Sequence, residues 1–347
     1  MPPGPEAPLD APAGPTPPDT PAWDGADLTT SWSPDALGDH FEARRIDLAP
    51  DDEGECTATL VRYRPDPEVR PARAVLYVHG WSDYFFQTQL AHYWNSQGAA
   101  FYALDLRKYG RSLRDHQTPG YVADLRTYDE EIGAALDVIR AEHGPVVRVV
   151  LMGHSTGGLV LSLWAARHPR EVHGLVLNSP WLELQGSSLA RHLSAPAITR
   201  LARFNPKVAL PNIDPGFYAR TIDVATGGEW HVDARWRPTP SFPVRAGWLD
   251  AVLLGHATVA RGLDLDMPVL TAISGRTLIS PRWSEDMRTA DIVLDTEAIA
   301  RRAVQLGNLV TLVRVPGGMH DLTLSAQPAR DRFYGELTRW LVAYGWG

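Results

Sequence analysis

From about residue 74 to the C-terminus, short and almost unbroken apolar runs alternate with stretches of helical period. The runs are "AVLYVHG" (74–80), "AAFYALDL" (99–106), "VVRVVLMG" (146–153), "VHGLVLNSP" (172–180), "PVLTAIS" (268–274) and "LVTLVRVPGG" (309–318). They lack a polar face, the mark of strands buried on both sides. Between them the apolar positions recur with helical spacing. In 125–143, Ile132, Ala135, Leu136 and Ile139 share one face. Further helices are expected near 86–97, in "GLVLSLWAARHP", in the latter part of "IVLDTEAIARRA" and in the closing "PARDRFYGELTRWLVAYG". Upstream, "HFEARRIDL" and "CTATLVRYRP" alternate as two strands around the turn "APDDEGE". Strand–helix alternation of this kind predicts an α/β fold, a mostly parallel sheet flanked by helices.

The alternation breaks once. Residues 185–262 carry proline, the aromatics Phe204, Phe217, Tyr218, Trp230, Trp236 and Trp248, and helical pieces, but no strong strand. In "PVRAGWLDAVLLGHATVARG", Val244, Trp248, Val252 and Val259 fall roughly on one face. The segment reads as a largely helical insertion over the sheet edge, and long insertions in compact domains often serve as lids. The expected core is then 36–184 with 263–347. Residues 1–35 are rich in proline, alanine and glycine and read as a disordered tail.

Composition narrows the function classes. The chain has 347 residues, 44% hydrophobic and 21% charged, an ordinary soluble balance. A net charge of −8 argues against a nucleic-acid partner, which calls for a basic surface. The single cysteine, Cys56, excludes an intrachain disulfide and a cysteine metal cluster. No apolar run is long enough to span a membrane, and no secretory signal is evident at the N-terminus, so a cytoplasmic location is expected.

The chemistry centres on "LMGHSTGGLV". Within it "GHSTG" has the form G-x-S-x-G and sits where a strand gives way to a helix, the context this motif requires. A very tight turn there lifts Ser155 above the carboxyl edge of the sheet. Gly153 and Gly157 flank it because side chains would collide across the turn, Gly158 lets the helix pack closely, and His154 supports the elbow. A phosphate loop is excluded, because no Lys-Ser or Lys-Thr pair follows the glycines. A serine hydroxyl needs a base. Of twelve histidines, His320 in "VRVPGGMHDL" stands on the loop after the last strand, where such a base belongs. The acid that orients it should follow the preceding strand. Asp286, Asp291 and Asp295 all qualify. Asp291 is preferred, because Asp295 reads as the N-cap of the next helix. An acyl-transfer site also needs two N–H donors for the oxyanion. The amides of Thr156, after the serine, and of Trp81, after "VHG", are the candidates.

These four features resemble the α/β-hydrolase superfamily. Within it the chain is similar to the serine hydrolases grouped with monoacylglycerol lipases, lysophospholipases and S33 serine aminopeptidases. The resemblance rests on "VLYVHGWSDYF", "FYALDLRKYGRS", "MGHSTGGL", "TADIVLD" and "GGMHD". It implies Ser155, Asp291 and His320 as catalytic triad, Trp81 and Thr156 as oxyanion hole, and structural roles for Asp105 and Gly110. The insertion falls where that family carries its cap. The acid-bearing loop is longer than the family pattern. The expected activity is hydrolysis of a small-molecule acyl ester of lipid type, such as a monoacylglycerol or lysophospholipid, through an acyl-enzyme at Ser155, with neither metal nor organic cofactor. Thioester or peptide hydrolysis, or a non-catalytic ligand-binding role on the same fold, are the alternatives. A serine at 155 excludes the aspartate-nucleophile branches of the superfamily.

Overall fold

The computed structural model describes residues 29–184, 188–211 and 214–346. Along the chain run β1 (Ser33–Pro34), β2 (Phe41–Asp51), β3 (Gly54–Tyr63), β4 (Arg73–Val78), α1 (Thr88–Ser96), β5 (Ala100–Asp105), α2 (Asp129–His143), β6 (Arg148–His154), α3 (Thr156–Arg167) and β7 (Gly174–Asn178). Then follow α4 (Ser188–Phe204), α5 (Phe217–Ile222), α6 (Ala246–Ala260), β8 (Val269–Ser274), α7 (Thr296–Ala303), β9 (Val310–Val315) and α8 (Gln327–Trp340). The strands form one sheet in the order β1-β2-β3-β5-β4-β6-β7-β8-β9. The β1–β2, β2–β3 and β3–β5 pairs are antiparallel, and every pair from β5–β4 to β8–β9 is parallel. This is the mostly parallel, helix-flanked sheet that the apolar runs imply.

Period-two alternation divides the core between two faces. Leu76, Val78, Leu151 and Leu177 face α2 and α3, where Ile132, Leu136, Ile139, Leu159 and Trp164 meet them. Val75, Tyr77, Val150, Met152 and Val176 face α1 and α8, packing with Leu90, Trp94, Phe333 and Leu337. Each such side chain contributes about 1.5–3 kcal/mol by leaving water. Two covered faces explain why β4 to β8 read as unbroken apolar runs; the edge strand β9 reads the same way but is only partly covered, with Leu312 and Arg314 exposed.

The segment between β7 and β8 lies over the carboxyl ends of the strands. Its Trp248 packs on Trp81 after β4, its Tyr218 on His320 after β9, and its Phe242 amide donates to Ser82 Oγ at 3.0 Å. On α6, Trp248, Val252 and Val259 are buried together, as their spacing implies. Trp236 and Trp248 are packing residues of this segment rather than exposed surface.

The expected tail needs a correction at its C-terminal end. Residues 1–28 lie outside the described residues, but 29–35 are seated on the sheet. Trp32 donates its indole N–H to Glu142 at 2.6 Å, under the Arg62 guanidinium 4.0 Å from its ring. β1 pairs with β2, and Asp35 makes two hydrogen bonds with Arg111, at 2.8 and 2.9 Å. A proline-rich composition hides these two anchors, each of which needs only one side chain and one or two distant partners.

Candidate active site

The elbow forms at the β6–α3 junction. Ser155 has φ 51° and ψ −117°, a left-handed conformation that a non-glycine residue adopts only when its surroundings hold it there. Here they do: its amide donates to Asn178 O at 3.0 Å, and its carbonyl accepts from Gly158 and Trp181, each at 3.0 Å. A Cβ at Gly157 would land on the carbonyl oxygens of Val78 and His79, and one at Gly153 on the backbone of Gly157 and Gly158. Both positions therefore require glycine, which is why two of them bracket the serine.

Ser155, His320 and Asp291 come together. His320 Nε2 lies 3.0 Å from Ser155 Oγ, and His320 Nδ1 lies 2.9 Å from Asp291 Oδ2. All three side chains are buried. A carboxylate can only accept, so the tautomer with Nδ1–H toward Asp291 leaves Nε2 free to accept the serine hydroxyl proton. Asp291 is held in turn by the amides of Val293 and Leu294, which donate to its Oδ1 at 2.8 and 2.7 Å. The long loop after β8 doubles back on itself: Asp291 bridges Thr277 in parallel fashion, its amide donating to Arg276 O and its carbonyl accepting from Leu278. The loop can thus be long while its acid returns to the end of β8. Asp295 caps α7, accepting from the amides of Glu297 and Ala298, and Asp286 is exposed beside Arg276.

The loop after β4 runs beneath the insertion. Trp81 is half-buried, its ring centroid 3.9 Å from that of Trp248. Trp181 and Phe242 lie 6.0 Å from Trp248 and 6.3 Å from Trp81 respectively, giving an aromatic wall next to the elbow. The loop is tied down by Asp105, whose carboxylate accepts the Phe85 amide at 2.9 Å and the Arg111 guanidinium at 2.8 Å. Gly110, at φ 47°, is pressed against Asp105 and Tyr84, where a side chain would not fit. Thr156 opens α3 directly after the serine.

Of the other residues in the same cluster, only His154 carries a sequence signal strong enough to single it out. His154 Nδ1 sits 3.1 Å from Asn178 O, and its ring centroid is 4.8 Å from that of His320. Burial pushes its imidazole below the usual histidine range. Asp321, next to His320, is buried. Burial opposes its charge, but the facing His154 and hydrogen bonds from Thr323 and Asn178 outweigh burial and hold it below the usual carboxylate range. The insertion supplies Tyr218, whose ring meets His320 edge-on at 5.3 Å, and Arg237, whose guanidinium lies 3.4 Å from Asp83. The "HD" pair in "MHDL" was the only hint of Asp321. Tyr218 and Arg237 lie in a stretch that follows no motif.

No cluster of three or more histidine, cysteine, aspartate or glutamate side chains able to hold a metal occurs among the described residues, and no described helix is long and apolar enough to cross a membrane.

The chain matches the model of the serine aminopeptidase, S33, hydrolase family over residues 69–325. It is 26% identical over 284 residues to a monoacylglycerol lipase of Mycolicibacterium smegmatis, covering 80% of this chain and 91% of that one. Among solved structures, the monoacylglycerol lipase of Paleococcus ferrophilus aligns with a TM-score of 0.58 at 19% identity, over 87% of this chain and 99% of that one. A soluble variant of monoglyceride lipase from Saccharomyces cerevisiae, in complex with a substrate analog, aligns with a TM-score of 0.60 at 14% identity, over 87% and 96%.

Proposed function

The chain belongs to the serine aminopeptidase S33 family and has the α/β-hydrolase fold, and on that basis we propose that it is a serine hydrolase of lipid-type carboxylic monoesters. The observation that carries the reading is the unbroken hydrogen-bond chain Asp291–His320–Ser155, with the serine in a left-handed turn at a helix N-terminus. His320 Nε2 takes the proton from Ser155 Oγ as the oxygen attacks the acyl carbonyl. The Trp81 and Thr156 amides stabilise the oxyanion. The imidazolium, steadied by Asp291, then gives its proton to the leaving alcohol. Water deprotonated by the same nitrogen releases the acid from the acyl-enzyme.

The insertion acts as a cap in this reading. Trp81 and Trp181, half-buried and backed by Trp248 and Phe242, offer apolar surface beside the nucleophile, which suits an acyl chain. Similarity to a mycobacterial monoacylglycerol lipase over most of both chains favours a glyceryl leaving group. Peptidase chemistry would call for a carboxylate to bind the substrate ammonium. The two acids that face His154 are already engaged, Asp83 with Arg237 and Asp321 with Asn178 and Thr323. Substrates tested side by side decide the class: 1-monoacylglycerols, lysophosphatidylcholines, acyl-CoA thioesters and aminoacyl-anilides. Highest kcat/KM on the monoacylglycerols is expected. Turnover of the anilides or thioesters alone would overturn the ester assignment.

A further inference from the structure

Ser155 and His320 are 165 residues apart, and their strands are not neighbours. Ser155 follows β6 and His320 follows β9, with β7 and β8 between them in the sheet. The 3.0 Å contact between their side chains therefore depends on something that spans the gap. Asn178, the last residue of β7, does so. Its carbonyl oxygen accepts the Ser155 amide at 3.0 Å and lies 3.1 Å from His154 Nδ1. Its side-chain Nδ2 donates to Asp321 Oδ1 at 2.6 Å, and its Oδ1 accepts the Leu322 amide at 3.1 Å. One wholly buried residue thus grips the nucleophile turn with its main chain and the histidine loop with its side chain.

The chemistry of the pair is specific. A carboxamide can donate to a carboxylate and accept from a backbone N–H at the same time, and the donation to an ionised acid is of the stronger, charge-assisted kind. Asp321 is fixed on its other sides: Oδ1 also accepts from the Thr323 amide at 2.8 Å and hydroxyl at 2.7 Å, and Oδ2 accepts from Gln87 at 3.2 Å. Resting on the assignment of Ser155 and His320 above, we propose that Asn178 is a positioning residue. With Asp321 it sets the separation and angle between the serine oxygen and the imidazole, and touches no substrate.

The test uses the whole chain and normalises rates to the serine titrated by a fluorophosphonate burst. Asn178→Ala is expected to lower kcat per titrated serine about 10²-fold, the scale of an ångström misplacement of reacting groups, with KM within a few-fold of wild type. A residue that only stabilised the fold would reduce the titratable fraction and leave kcat per site unchanged. Asn178→Asp keeps the shape and guards against misfolding of the alanine variant. It places a second carboxylate at hydrogen-bond distance from Asp321, and two such groups share one proton. The ionisable and charged groups facing the pair are His154 from β6, Tyr77 from β4, Asp83 after β4, Tyr218 and Arg237 from the insertion, Tyr334 from α8 and the adjacent His320. While the shared proton is present the bridge survives, so kcat of this variant should fall as pH rises, along a limb absent from wild type. Wild-type kcat per titrated serine in the alanine variant, or a wild-type pH profile in the aspartate variant, would overturn the proposal. A wild-type protein with no titratable serine would instead remove the functional reading beneath it.

Discussion

Asp291 reaches His320 at 2.9 Å although the loop that carries it is long, because that loop pairs with itself at Thr277 and Asp291. Asp291→Asn should keep this shape but present an amide N–H to the ring, favouring the tautomer that cannot accept the serine proton. A fall in kcat of about 10³–10⁴-fold on model esters is expected. Asp295→Ala, which removes the cap of α7, should cost about 1 kcal/mol of stability by denaturant titration and leave turnover intact. The reverse pattern would exchange the two roles.

Glycine at 157 is a matter of room. Alanine there would press its methyl on two main-chain carbonyl oxygens, which cannot swing aside as a side chain can. Gly157→Ala should lose about 1–3 kcal/mol or more in a urea melt. Gly133, on α2, meets nothing within 4 Å of an added Cβ, so Gly133→Ala should gain roughly 1 kcal/mol instead.

Arg111 lies wholly buried between Asp35 and Asp105, with hydrogen bonds to both and to the Phe85 carbonyl. Arg111→Met would leave two buried carboxylates without their cation, at a cost of about 3–5 kcal/mol. Because Asp105 also holds the Phe85 amide, the loop bearing Trp81 should loosen, raising the hydrogen-exchange rate of its amides.

His256, on α6 against the Trp181 carbonyl, has its imidazole pushed down to about 4 by burial. The unfolded chain takes up that proton near pH 6.5. The stability tied to this residue is therefore complete above about pH 6.5. It is lost as pH falls toward about 4, by an amount on the order of 3 kcal/mol. His256→Gln should flatten the Tm-against-pH curve across that window. An unchanged slope would place the acid sensitivity in other groups.

The sequence made the parallel sheet and the elbow legible for one reason: both rest on dense, local patterns. Apolar runs without a polar face mark doubly covered strands, and glycines at 153 and 157 mark a turn too tight for side chains. His320 and Asp291 were reachable through chain order, as residues on the loops after the last two strands. What escaped depends on single long-range contacts. Asn178 looks like any strand-terminal residue, and its role emerges only once β7 is seen between β6 and the histidine loop. Trp32 and Asp35 anchor a stretch whose composition reads as tail. Arg237 and Tyr218 reach the site from a stretch of the insertion with no periodic or motif-like cue.

Whether Ser155 is the nucleophile is read most simply from hydrolysis of 4-nitrophenyl esters, acetyl to palmitoyl, by wild type and Ser155→Ala. Wild type is expected to turn these esters over with an optimum chain length, and the variant to lose about 10³-fold or more, keeping only the contribution of the oxyanion donors and binding. Equal turnover by the two proteins would contradict the assignment of Ser155.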